Sequence, residues 1–197
     1  MTIKIGINGM GRIGRMIVRS IIETQNRNLK IQHINNRSNA ETTCKLLKYD
    51  SIHGKFNAEL KFDENELIIN ENKITFSQES KIENINWKKY DVDYVFECTG
   101  KFNSKEKLIT HIKNGAKKVI VSAPCKNADK TIVFGVNENI ISNDDISSLD
   151  IIFSFTPKTI VLSAFLHGAE TITFFAPFLM CVINFSFELN LPVHSKT

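Results

Sequence analysis

The chain has 197 residues, 42% of them hydrophobic, enough to bury a good core in one domain with some length left over. Its formal charge of +4 comes from 25 basic residues scattered among 21 acidic ones, with no basic stripe interleaved with aromatics, so a nucleic-acid partner is not expected. Cys44, Cys98, Cys125 and Cys181 form no C-x-x-C pair, which leaves a zinc or redox motif unsupported. Gly and Arg interrupt the N-terminus before a signal peptide's apolar run can develop, so a cytoplasmic chain with free thiols is expected.

Ile3 to Ile7, branched and apolar, predicts a short buried strand at the start of the chain. Gly9, Gly11 and Gly14 follow as G-x-G-x-x-G, and Met16-Ile17-Val18 with Ile21-Ile22 open an apolar helical face. In that strand–turn–helix setting Gly9 serves the tight turn, Gly11 the approach of backbone to a pyrophosphate, and Gly14 close packing of helix on strand. The helix N-terminus adds N–H groups and the positive end of its dipole. Asn8, Gly9, Gly11, Arg12, Ile13 and Gly14 are therefore the expected cofactor-binding set, against the plainer reading of an ordinary Gly-rich turn.

Leu29 to Ile34 predicts the second strand of a βαβ unit. Beyond it, an acid about 20 residues past the glycines normally holds the ribose 2′-OH of NAD. The matching residue is Asn36, 22 residues after Gly14 and followed by Arg37. Asn cannot repel a 2′-phosphate as a carboxylate does, and Arg37 can pair with one, so both NAD and NADP are expected ligands. Alternatively Arg37 is a solvated loop residue and Asn36 still bonds the ribose.

Glu41 to Lys48 predicts a helix, Tyr49 to Phe56 a loop in which His53 is structural, and the runs Glu59–Phe62, Leu67–Ile69 and Ile74–Phe76 small antiparallel strands appended to the sheet. Trp87 is expected to anchor packing. Val92 to Phe96 predicts a buried strand ending at Thr99-Gly100, where a topological switch point places ligand contacts. Ser104 is an expected N-cap for a helix to Asn114, with Gly115 just past its end. Val119 to Val121 and Thr131 to Phe134 close the sheet, with Ser122 at the end of the former. The fold class is thus α/β, a Rossmann-type doubly wound parallel sheet with a small antiparallel insertion over residues 1–148, followed by an atypical tail over 149–197.

Ile5-Gly6-Ile7-Asn8-Gly9-Met10-Gly11-Arg12-Ile13-Gly14-Arg15 resembles the opening of phosphorylating glyceraldehyde-3-phosphate dehydrogenase, which usually has Phe where Met10 stands. Leu46–Gly54, Glu97-Cys98-Thr99-Gly100-Lys101-Phe102, Val119–Pro124 and Phe134-Gly135-Val136-Asn137 agree with the same family in order and spacing, up to about residue 145. The resemblance implies an NAD(P)-binding half of a glycolytic oxidoreductase, with Thr99, Gly100 and Ser122 bordering the path from adenosine to nicotinamide. It also implies a homotetramer in the family, and Asp where Asn36 stands.

The family's reaction uses a thiolate that attacks the aldehyde and a histidine as base. Its Ser-Asn-Ala-Ser-Cys-Thr-Thr-Asn-Cys stretch is missing here; the chain instead runs Ile146-Ser147-Ser148-Leu149-Asp150-Ile151-Ile152-Phe153-Ser154-Phe155. In a looser echo, Ala169 to Pro177, Glu170 or Thr171 stands in the cysteine's place, and neither is a thiolate. No catalytic residue is therefore assigned, and the second domain with its tetramer contacts is not expected in this chain. An inactive dinucleotide-binding module acting through a partner is the alternative reading. Thr171 to Phe187 carries no charge, but Pro177, Asn184 and the bordering Glu170 and Glu188 argue against a membrane span. That run is expected to pack on the sheet or to form an exposed apolar patch.

Overall fold

The computed structural model describes residues 2–25, 27–132, 136–137, 140 and the backbone of 151–155. The expectations for 156–197, including Cys181 and the uncharged run, lie outside the described residues.

Strand β1 (Ile3–Asn8) turns through Gly9–Gly11 into helix α1 (Arg12–Glu23), which returns to strand β2 (Leu29–Asn35), parallel to β1. The helix forms because Ile17, Val18 and Ile21 recur on one face and are buried in one core with Ile5, Ile7 and Ile34 of the sheet. Each such Ile contributes roughly 1.5–3 kcal/mol by leaving water. Helix α2 (Ala40–Lys48) starts at Asn39, whose side chain accepts the Thr42 amide at 2.9 Å. It is tied to α1 by the buried Arg19 guanidinium, which donates to the Leu47 carbonyl at 2.7 Å and to Gly54 at 3.1 Å.

The hairpin β3 (Tyr49–Asp50) and β4 (Gly54–Lys55) occupies the stretch expected as loop. At its tip Asp50 accepts the His53 amide at 3.0 Å, a turn role for both residues. Three strands follow, β5 (Leu60–Asp63), β6 (Glu66–Ile69) and β7 (Asn72–Ser77). The first two are antiparallel as expected, whereas β7 is antiparallel to β6 but parallel to β2. Its alternation buries Ile74 and Phe76, and that pattern is the same for either strand direction.

After a 3-10 turn at Ile82–Asn84 come β8 (Tyr94–Glu97), α3 (Lys105–Lys113) and β9 (Lys118–Val121). Ser104 occupies the N-cap position of α3, but its side chain makes no cap hydrogen bond; its carbonyl accepts the Leu108 amide at 3.1 Å. Gly115 ends the helix at φ 107°, where a side chain would meet the Lys88 backbone.

Beyond β10 (Lys130–Ile132) the structure has one more strand than expected, β11 (Ile151–Phe155), which lies between β9 and β10 and is parallel to both. The strand expected near Thr131 is thus the sheet's edge, as β10, but not the last strand in the chain. Ile151-Ile152-Phe153 is a short apolar run, and periodicity alone cannot assign such a run.

The full sheet runs β10-β11-β9-β8-β1-β2-β7-β6-β5. Taking β7, β2, β1, β8, β9 and β11 in chain order gives the doubly wound arrangement 3-2-1-4-5-6, with β5–β6 as the antiparallel edge. The order reverses between β1 and β8, and a crevice opens beyond the carboxyl ends of those two strands. Among the described residues no helix is long and apolar enough to cross a membrane.

Candidate functional site

Three neighbouring parallel strands end side by side in polar residues that are all buried. Asn8 of β1 is in register with Asn35 of β2 on one side and with Glu97 of β8 on the other. The Asn8 amide donates to Glu97 Oε2 at 2.6 Å, and Asn8 Oδ1 accepts from Asn35 Nδ2 at 2.8 Å. Glu97 Oε1 accepts the Thr99 amide at 2.8 Å and also its hydroxyl. On the far side His111 of α3 meets Glu97 Oε2 at 3.0 Å, and Trp87 Nε1 donates to His111 Nδ1 at 2.8 Å. The expected packing anchor, Trp87, is fully buried against the backbone of β1, and a Cβ on Gly6 would lie 2.6 Å from its ring.

Above this layer sits the glycine turn. Gly9 has φ 97°, and a Cβ there would lie 2.9 Å from the Thr99 amide nitrogen. Only glycine accommodates both constraints. At Gly11, the residue before α1, an added Cβ would meet nothing nearer than the Cys98 carbonyl at 3.9 Å. Its missing side chain therefore leaves open space at the mouth of the crevice. A Cβ on Gly14 would lie 2.1 Å from the Gly9 carbonyl oxygen and 3.5 Å from Ile7 Cγ2 of β1, so the helix packs at this position on the turn first and on the strand beside it. The N-terminus of α1 has no side-chain cap and no acidic residue in its first turn. A cradle free of Cβ atoms, at a positive helix end, fits an anionic phosphate group.

Asn36 lies where β2 leaves the sheet, and both ends of its amide are engaged. Its Oδ1 accepts the Met10 amide at 3.3 Å and its Nδ2 donates to Thr43 Oγ1 at 3.0 Å. Arg37 is exposed, and its guanidinium has no ion-pair partner among the described residues.

The crevice brings together six of the residues expected from sequence: Asn8, Gly9, Gly11, Asn36, Arg37 and Thr99. Arg12 and Ile13 lie in the first turn of α1, outside its lining, and Gly14 is buried behind it. Gly100 is exposed at φ 70° beside Thr99. Ser122 lies at the end of β9, where its amide donates to the Glu97 carbonyl at 3.0 Å. Sequence reasoning gave no role to Asn35, Glu79, Ser80, Lys101 and Phe102, which also line the crevice, or to Glu97 beneath it. The available signal was the polar residue that ends each of three apolar strands.

None of the three described thiols is activated. Burial pushes Cys44 up to about 11. Cys98 is raised by burial and then by the adjacent Glu97, and Cys125 by burial and then by Glu106 and Asp129. A thiol nucleophile requires the opposite shift.

The family described as glyceraldehyde 3-phosphate dehydrogenase, NAD binding domain, matches residues 3–105, just over half of the chain. The chain belongs to this family. It is 46% identical over 140 residues to glyceraldehyde-3-phosphate dehydrogenase 2 of Bacillus subtilis, a match covering 71% of this chain and 40% of the relative. The corresponding enzyme of Geobacillus stearothermophilus is 44% identical over 139 residues, covering 71% and 41%. That of Thermotoga maritima is 42% identical over 136 residues, covering 69% and 41%. The chain thus spans about two fifths of the length of these relatives, in their NAD-binding part. This family is the one whose motifs the sequence carries from Ile5 to Phe102, and NAD is its dinucleotide.

Proposed function

We propose that the crevice between β1 and β8 holds a nicotinamide dinucleotide, with the pyrophosphate at Gly9–Gly11 and the N-terminus of α1. In this reading Arg12, Ile13 and Gly14 present and pack that helix end. Asn36 and Arg37 address the adenosine ribose, and Thr99, Gly100 and Ser122 border the way to the nicotinamide. The observation that carries the reading is the open space at Gly11 above an uncapped helix N-terminus, in a chain of an NAD-binding family. A bound NAD or NADP supplies a hydride acceptor; the chain's own residues supply binding and orientation.

The test is titration of the purified chain with NAD, followed by fluorescence or calorimetry, beside the Gly11→Val variant. Saturable binding that falls strongly in the variant while the fold is retained supports the reading. Unchanged affinity in the variant reduces the fingerprint to a turn.

A second reading concerns catalysis: the chain binds the dinucleotide without oxidising an aldehyde. It is favoured by the three described thiols, all held protonated, and by the absence from the sequence of the family's Ser-Asn-Ala-Ser-Cys stretch. On this reading the chain acts as a dinucleotide-binding module, through a partner.

A further inference from the structure

We propose that Glu97 is a positioning residue for the dinucleotide, fixing the spacing between the walls of the crevice through its two carboxylate oxygens. The proposal rests on the dinucleotide reading above.

Glu97 is 1% exposed, and no lysine or arginine pairs with it among the described residues. The Cys98 thiol lies beside it, and the ring hydrogen-bonded to the carboxylate is His111, whose bonding pattern the geometry settles. An indole N–H only donates, so His111 Nδ1 accepts from Trp87, and Nε2 is the ring nitrogen that donates to Glu97. The buried carboxylate is held by donors alone: Asn8 Nδ2, His111 Nε2, the Thr99 amide and the Thr99 hydroxyl. Without them a buried charge costs several kcal/mol.

The two oxygens address different walls. Oε2 holds Asn8, the residue before the glycine turn, and Oε1 holds Thr99, whose backbone lies against Gly9. The chain of bonds continues through Asn8 Oδ1 to Asn35, whose Oδ1 accepts the Glu79 amide and the Ser77 hydroxyl, each at 2.8 Å. One connected network thus joins the segments around residues 8, 35, 79 and 99, and all four line the crevice. A shift of the carboxylate moves the turn and the opposite loop together.

Glu97→Gln separates positioning from charge and from packing. The variant has the same shape, but its NH₂ group faces two donors on whichever side it points, so either Thr99 or the Asn8–His111 pair loses its acceptor. Charge alone predicts tighter binding of an anionic cofactor once the carboxylate is neutralised. Positioning predicts the opposite. With the 197-residue chain, the expected result is an NAD dissociation constant raised about tenfold or more, a size set by one or two lost charge-assisted bonds. Adenosine, which carries no phosphate and addresses only the ribose end at Asn36 and Arg37, is expected to change less than about threefold in the same variant.

Equal loss for NAD and adenosine would mean general loosening of the fold, and unchanged or tighter NAD binding would mean that Glu97 is only structural; either overturns the proposal. Absence of NAD binding in the unmodified chain would instead overturn the dinucleotide reading itself. Should Glu97→Gln fail to fold, Thr99→Val keeps the carboxylate, the methyl group and the backbone amide and removes the hydroxyl, which donates to Glu97 and accepts the Lys101 amide at 3.2 Å. It is expected to show the same selective loss for NAD over adenosine, and equal loss or none overturns the proposal. Folding of each variant is followed by fluorescence of the single tryptophan, Trp87, which is bonded to the same network.

Discussion

A Cβ built on Gly14 would lie 2.1 Å from the carbonyl oxygen of Gly9. Helix α1 and the turn before it can coexist only because Gly14 has no side chain. Gly14→Ala is therefore expected to destabilise the fold by about 2–3 kcal/mol, since the obstructing atom is backbone and cannot rotate away. Gly11→Ala, at φ −68° and with nothing nearer than 3.9 Å, is expected to stay within about 1 kcal/mol of the unmodified chain. Urea unfolding of both variants checks the contrast. Two equal losses would show that the turn does not discriminate between the two glycines.

Cofactor choice follows from residues 36 and 37. With Asn in place of a carboxylate and an exposed Arg37 beside it, NADP is expected to bind within about tenfold of NAD, a gap of about 1.4 kcal/mol. Asn36→Asp keeps an acceptor for the Met10 amide, and Thr43 can turn its hydroxyl proton toward the new oxygen, so the local bonds survive. That variant is expected to restore NAD preference by repelling the 2′-phosphate. Calorimetric titration with both cofactors decides, and a several-hundredfold NAD preference in the unmodified chain would exclude a relaxed 2′ site.

His33 makes stability depend on pH. The ring is fully buried, stacked on Tyr90 at 3.6 Å and hydrogen-bonded to Thr75 and Ser77. Burial first, and the Lys89 charge second, push it down to about 3. The folded value lies below the unfolded one near 6.5, so the unfolded chain binds the proton more readily. The contribution is therefore fully present above about pH 6.5 and is lost as the pH falls toward about 3, with an upper size on the order of 5 kcal/mol. Urea unfolding between pH 4 and 7 on the unmodified chain and on His33→Gln isolates it. The difference between the two should grow with pH, and a flat difference would show that His33 does not titrate in this way.

Aldehyde oxidation is expected to be absent. With glyceraldehyde 3-phosphate, inorganic phosphate and NAD or NADP, the purified chain should form no reduced cofactor above an iodoacetamide-treated control. Without an activated thiolate the covalent intermediate cannot form, and cofactor binding by itself gives no turnover. Robust activity abolished by alkylation would refute this and move the nucleophile to Cys125 or Cys181, which the single Cys→Ser variants would then separate.

The sequence by itself determined the frame of the molecule. Buried runs such as Ile3–Ile7 and Val119–Val121 have one stable setting, a strand covered on both faces, and the fingerprint glycines tie the first of them to a helix. Gly9, Gly11, Asn36 and Thr99 were legible because each follows a strand at a fixed distance. Tertiary structure decided the rest, because it depends on which strands are neighbours. The pairing of β7 with β2 and the place of β11 between β9 and β10 are matters of sheet order, which alternation within one strand does not encode. Glu97, Asn8 and Asn35 lie far apart in the chain and become one site only where β8, β1 and β2 end in register. His111 joins them from a helix on the far side, and the direction of its hydrogen bonds follows from the indole that α3 brings it against. Hydrogen-bond direction is a property of a contact, and the contacts exist only in the folded chain.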